Sequence, residues 1–288
     1  MPNTCLHDLV GQLNRSSAVY EDPSSLIAWE RLTFEDYWLP PEALSLSGLP
    51  EFERLTEDRK RALSRHEFLN FIEAGIWLEG VFMERMARGL RDRRAHLAEL
   101  RYRVHEIREE SGHSLMFLDL IERSGLDVSG RRWAPHALEL FTHLVPLESM
   151  EFWLATVLGE EVPDQMNRYV RRHSEGLNST IVQMCGLHIK EEARHIAYAR
   201  EVVRAKSRNA SRARRVAASA LIRYLLRQFL DTFYYPHPDV YERAGLTPGR
   251  EWRRLSRSNP ARRQFLDGLI APSLRSFEPF GFVLAPRP

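Results

Sequence analysis

Residues 188–201 read HIKEEARHIAYARE and set His188, Glu192 and His195 at spacings of four and three. On an α-helix those offsets point one way, so two imidazoles and a carboxylate share a stripe. Extended outward, the stripe reads Ile181, Cys185, His188, Glu192, His195, Ala199 and Val202, core-like at its ends and polar in its middle. Buried polar groups are costly unless something satisfies them, and a metal ion satisfies imidazole and carboxylate together. A second Glu-x2-His, Glu110 and His113, sits in EIREESGHSLMFLDLI on a stripe with Phe117 and Leu120.

Two more acids interrupt apolar stripes. Leu69, Ile72, Ile76, Glu79, Met83 and Met86 step by three and four, with Glu73 as the alternative acid. Met150, Leu154, Val157 and Glu161 share a face, with Glu160 offset by about 100° as the alternative there. One Glu from each of two helices and Glu-x2-His from each of two others is how a bundle holds two metal ions. Carboxylates and imidazoles suit iron or manganese, whereas cysteine-rich sets suit zinc. The layout follows from charge: four carboxylates in a dry core need compensating cations, and two divalent ions supply them. Glu79 to Glu110 and Glu161 to Glu192 are each 31 residues apart, as two helical hairpins with their acids at one level would be.

The elements that position these residues are helical, and strand-like alternation is nearly absent. Periodicity predicts long helices over 64–91, 95–124, 136–173 and 177–207, and shorter ones over 211–234 and 259–276. Thr56 with nearby acids is read as opening a short helix before the first long one. Pro146 and Pro163 fall within the third, and a kink or bulge is expected at each. The reading is therefore an all-α, four-helix bundle with additional flanking helices in one domain over 1–288. Its parts are an N-terminal arm (1–60, aromatic-anchored through YWLPPEALSLSGLPEF), the bundle (64–207) and C-terminal helices (211–288).

Composition narrows the class. In 288 residues, 41 basic side chains nearly balance 39 acidic ones, which gives no footprint for nucleic acid. The two cysteines, Cys5 and Cys185, form no CxxC, so a zinc knuckle and a disulfide framework are excluded and a reducing, cytoplasmic setting is expected. No run approaches the roughly 20 apolar residues of a membrane span, and the N-terminus lacks the pattern of a signal peptide.

LGEEVPDQM followed by HIKEEARHIAYARE resembles the di-iron amine N-oxygenases typified by p-aminobenzoate N-oxygenase, the ferritin-like arylamine oxygenases. The resemblance implies a ferritin-like bundle in which an extra histidine, here His188, precedes the last Glu-x2-His by one turn. The ligand set it implies is Glu79, Glu110, His113, Glu161, His188, Glu192 and His195. It implies two iron ions, with manganese the second choice, and O2 as co-substrate. The reaction implied is N-oxygenation of an arylamine or amino-acid-derived amine, free or carrier-bound, to hydroxylamine, nitroso or nitro products in a biosynthetic pathway, with an external electron donor. A C–H hydroxylase on the same site and a metal-storage protein are the rival readings. Glu106, Asp164 and Glu191 are candidates to brace the histidines. Trp77, Phe82, Met83, Phe117, Trp153, Phe229 and Phe233 are candidates to line a pocket, and Arg194, Arg200 and Arg204 to hold a substrate carboxylate. Long exposed helix faces suit a homodimer.

Overall fold

The computed structural model describes residues 4–91, 96–128 and 135–284. Eleven α-helices are found among them, besides short 3-10 turns: α1 (Thr4–Ser16), α2 (Pro50–Glu53), α3 (Glu57–Gly89), α4 (Leu97–Ser124), α5 (His136–Leu144), α6 (Met150–Arg172), α7 (Ser179–Ser207), α8 (Arg212–Tyr234), α9 (Pro238–Arg243), α10 (Gly249–Ser258) and α11 (Pro260–Arg275). Among the described residues there is no β-strand, only an isolated bridge between Tyr37 and Leu177. The four long helices pair as α3 along α4 and α6 along α7, and α4 meets α7 across the bundle. This is the ferritin-like all-α architecture.

Each long helix begins where its sequence supplies a cap. Thr56 accepts a hydrogen bond from the Arg59 amide, Ser149 from that of Phe152, and Asn178 from those of Thr180 and Ile181; such oxygens satisfy amides that the first turn leaves unpaired. Thr56 thus opens the first long helix itself, which starts at Glu57; the short helix in front of it, α2, has already ended at Glu53. The α4 helix ends at Gly125, whose φ of 59° is left-handed and suits glycine.

The third predicted helix is two. At Pro146, which has no N–H to continue the ladder, the chain breaks completely: α5 stops at Leu144 and α6 starts at Met150. Pro163 stays inside α6. Its missing N–H leaves the Gly159 carbonyl without a helical donor, and the Tyr234 hydroxyl donates to the neighbouring Val162 carbonyl at 3.0 Å. The α6 helix is buried on nearly every side, because α8 and α11 pack over it as well as α7.

The arm is ordered around Trp38, which is fully buried and whose backbone amide donates to Ser64 of α3 at 2.7 Å. It also holds α1, and the proline- and glycine-rich stretch near 235–260 folds into the short helices α9 and α10. The sequence reading had neither, since both are short and their cues are mixed with turn residues.

Candidate metal centre

Four helices bring acids and imidazoles to one level in the bundle. From α4 and α7 come the two Glu-x2-His pairs. Glu110 Oε2 lies 3.1 Å from His113 Nδ1, and its Oε1 lies 3.0 Å from His195 Nδ1. Glu192 does the same: Oε1 is 3.2 Å from His113 Nδ1 and Oε2 is 3.5 Å from His195 Nδ1. Each carboxylate therefore spans the gap between the two imidazoles. From α3, Glu79 Oε1 sits 3.4 Å from His188 Nε2 and 3.8 Å from His113 Nδ1. Ligand atoms of Glu79, His113, His188 and Glu192 lie within 4.8 Å of one another, and so do those of Glu110, Glu192 and His195. Glu73, the alternative on α3, is buried but belongs to neither group.

On α6 the acid that faces the cluster is Glu160. It lines the same wall as Glu79 and His188, and its pKa is pushed well above the ordinary carboxyl value by burial and by the charges of Glu192 and Glu110. Glu161, the acid favoured from the stripe, turns away and pairs with the Arg200 guanidinium. Because α6 is enclosed by three partner helices, apolar residues occupy most of its circumference and periodicity does not single out one face. The equal 31-residue separations thus do not mark the acid that meets the cluster on α6.

The outer nitrogens of the imidazoles are braced crosswise. His113 Nε2 is 2.9 Å from Glu191 Oε2 on α7, and His195 Nε2 is 2.9 Å from Glu109 Oε2 on α4. Arg194 links the braces, at 3.1 Å from Glu109 and 3.8 Å from Glu191. His188 Nδ1 instead meets the Asn167 side-chain amide at 3.1 Å. Outer partners of this kind fix an imidazole's tautomer and aim its inner nitrogen. Of the three acids put forward as braces, Glu191 serves. Asp164 is tied to Arg168 at 2.6 Å, and Glu106 is buried without such a bond, its pKa raised to about 8 chiefly by burial. Glu109 and Asn167 were missed. A signal for Glu109 exists: both motifs are Glu-Glu-x2-His, EESGH and EEARH, and in each the first glutamate braces the other motif's histidine.

Protons alone leave this core poorly satisfied. Neither oxygen of Glu192 has a hydrogen-bond partner, nor do Glu79 Oε2, Glu110 Oε1 and His195 Nδ1, although all are buried. His195 Nδ1 and Glu110 Oε1 are 3.0 Å apart yet not aligned on each other; both atoms face shared space. Burial, with the charges of Glu110 and Glu192, holds the Glu79 pKa well above the usual value. Glu192 is lowered to about 2 and Glu110 is also depressed, the histidine charges outweighing burial and, for Glu192, the repulsion of Glu110. Burial opposes protonation of His113, but hydrogen bonds to Glu110 and Glu191 carry it to about 10. His195 is likewise raised, by the charges of Glu110 and Glu192. His188, with an amide for a brace, is lowered by burial to about 4. Burial and mutual repulsion thus push Glu79 and Glu160 toward holding protons, while the carboxylates of Glu110 and Glu192 draw protons toward His113 and His195. The donor set, rich in oxygen and imidazole nitrogen, fits divalent cations that would take the place of those protons.

A cavity opens from this cluster. Its free interior is about 20 Å³, room for about one water, and Glu79, Glu160, Asn167 and His188 form its polar end. Phe117 and Phe233 from the expected lining are in its wall. Trp77, Phe82 and Phe229 line a second, neighbouring cavity, while Trp153 packs edge-on against Tyr198 and Met83 receives the Ser111 hydroxyl.

Fold and site together define a ferritin-like helical protein with a buried glutamate–histidine cluster able to hold metal. The family model for p-aminobenzoate N-oxygenase AurF matches residues 3–281, and the chain belongs to that family. Its sequence is similar to the uncharacterised proteins Mb0909 of Mycobacterium bovis and Rv0885 of Mycobacterium tuberculosis, each 26% identical over 274 residues, covering 91% of this chain and 77% of theirs.

Proposed function

We propose that the protein is a non-haem di-iron oxygenase that transfers one oxygen atom of O2 to the nitrogen of an amine. The observation that carries this is the pair Glu110 and Glu192, each presenting its two oxygens to both His113 and His195. Carboxylates so placed could serve two ions at once. The residues that would hold them are Glu79, Glu110, His113, Glu160, His188, Glu192 and His195. Iron bound there supplies the oxygen chemistry, which belongs to the metal and not to the side chains. The overall step balances as R–NH2 + O2 + 2e− + 2H+ → R–NHOH + H2O, with the electrons from an external donor.

The chain's own residues orient and exclude. Glu109 and Glu191 hold His195 and His113 in the tautomer that leaves Nδ1 free to ligate. Asn167 sets His188 on the cavity side. The Phe117 ring, stacked on His188 with centroids 5.5 Å apart, keeps water from that face. No helix among the described residues is long and apolar enough to cross a membrane, and the buried thiol of Cys185 is compatible with the reducing cytoplasm, where we place the reaction within a biosynthetic pathway.

The test is direct. Protein expressed with supplemented iron is expected to carry about two irons per chain. After reduction and exposure to 18O2 with an amine panel, mass spectrometry should find label on nitrogen. Many irons per chain would indicate storage, label on carbon would indicate a hydroxylase, and absence of bound metal would overturn the reading.

A further inference from the structure

Away from the metal centre, α8 and α11 both pack over α6 with few contacts to each other, so a furrow is left between them. Its floor is apolar: Leu226, Ile270, Leu274 and Leu284 line it and are all buried. Its free interior is about 320 Å³, room for about ten water-sized groups at roughly 30 Å³ each. Small-molecule sites begin at about that volume and are lined in this way, apolar walls with a few placed polar groups. The chain that follows α11 walls one end. There the Arg223 guanidinium donates to the Val283 carbonyl at 2.5 Å, and the Val283 amide donates to the Ser219 hydroxyl at 3.3 Å.

Charge gives the furrow a direction. Arg223, Arg227 and Arg275 line it with one acid, Asp267. Among the described residues none of the three arginines has a carboxylate partner. Arg275 is in the last turn of α11, and the chain leaving that turn returns along α8 to meet Arg223. Arg275 therefore falls at the Arg223 end. Asp267 is eight residues back, about 12 Å along the helix. Cations gather at one end of an apolar floor and the acid stands at the other.

We propose that this furrow binds a medium-chain fatty carboxylate, its head held by Arg227 and Arg275 and its chain of about ten carbons laid over Leu226, Ile270 and Leu274. A guanidinium presents parallel N–H groups that match a carboxylate's two oxygens. Arg223, engaged with a neutral carbonyl, adds its charge to the same end. A small polar anion would leave the floor wet, a cationic amphiphile would meet three arginines, and an uncharged lipid would leave the guanidinium groups without a partner.

The experiment is calorimetric titration of the iron-loaded full chain with decanoate, decanol and butanoate, each below the concentration at which it aggregates. Decanoate should bind at least about tenfold more tightly than decanol, which lacks the charge. It should bind at least about a hundredfold more tightly than butanoate, whose chain is shorter by six methylenes worth up to about fourfold each. Arg227→Gln combined with Arg275→Gln, both exposed positions, should bring decanoate down to the level of decanol and leave decanol unchanged. Ala271→Phe, which fills the furrow from its wall, should weaken both about tenfold. Iron content and helicity should match the parent chain in each variant, since none of these residues touches the cluster. Decanol binding as tightly as decanoate would overturn the proposal, as would undiminished decanoate binding in the double arginine variant or in a folded Ala271→Phe. A chain ended at Leu284 that binds decanoate about tenfold more tightly would give the furrow to residues 285–288. A dimer that decanoate splits, followed by light scattering, would give it to a second copy. Either result would likewise overturn the proposal.

Discussion

Glu67 and Glu192 are both acids on long helices, 4% and 0% exposed, and their surroundings are opposite. Glu67 accepts hydrogen bonds from the Ser45 amide at 3.2 and 3.0 Å and a further one from the Ser45 hydroxyl. Ser45 in turn meets the Tyr241 hydroxyl at 2.9 Å, and Asn259 donates to the Ser45 and Ser47 carbonyls. Nearby, Arg262 donates to the carbonyls of Ala43 and Tyr234. That cluster closes on itself and ties the arm and the C-terminal helices to α3. Glu192 has neither oxygen bonded and three imidazole nitrogens within 3.6 Å. Burial is common to both, so burial does not mark function. What marks it is the convergence of donor atoms that satisfy nothing within the chain.

The contrast is broken most severely at Glu192. Glu192→Ala removes an oxygen from both proposed ion sites, so metal analysis of the purified variant should find both ions lost while circular dichroism stays helical. Retention of two ions would show that Glu192 does not bridge. Next in size is the choice on α6. Glu160→Ala should weaken metal binding by more than the roughly 10- to 100-fold seen when only the outer partner of a ligand is removed. Glu161→Ala should leave metal content unchanged and cost only about 1 kcal/mol of stability, since Arg200, 39% exposed, can turn to water. Equal loss in both variants would undo the assignment.

Protons sharpen the same comparison. Glu79, Glu160, His113 and His195 all have their pKa values pushed upward by their surroundings. Loading divalent ions should therefore release protons, and apparent affinity should rise with pH because ligands must deprotonate to bind. Titrations in buffers of different ionisation enthalpy measure the number. Binding without proton release would mean that the resting charges are otherwise arranged.

These residues also show what one sequence can reveal. The clustering of Glu110, His113, Glu192 and His195 was legible because Glu-x2-His is short, rigid in spacing and foreign to an apolar stripe. Glu79 was legible, with Glu73 as its alternative, because it falls on the three-and-four stepping of Leu69, Ile72, Ile76 and Met83. On α6 the same reasoning favoured Glu161, since a helix wrapped by partners has no polar side to orient it, and only packing decides. Glu109 and Asn167 act across helices, and spacing along one chain segment carries little trace of a bond to another. The break at Pro146 was anticipated as a kink; proline removes one hydrogen bond, and whether the helix resumes depends on what caps it next, here Ser149.

The smallest expected effect lies in the closed cluster and tests the other half of the contrast. The Glu67 pKa is raised by burial, against the pull of Arg262 and Ser45. An acid with a raised folded pKa ionises first in the unfolded chain. Its contribution to stability is therefore whole below the ordinary value of 4.5 and declines as pH rises toward the folded value. Glu67→Gln keeps a neutral acceptor of nearly the same shape, so it should cost under about 1 kcal/mol and remove that decline from the pH–stability curve. Glu67→Ala strands the Ser45 amide and hydroxyl and should cost about 1–3 kcal/mol. Neither should change the number of ions bound, because Glu67 is absent from both groups of converging ligand atoms. Denaturant melts across pH beside metal analysis decide the matter: a loss of iron in Glu67→Gln would mean that the two clusters are coupled through α3, and that satisfaction within the chain does not separate a structural acid from a ligand.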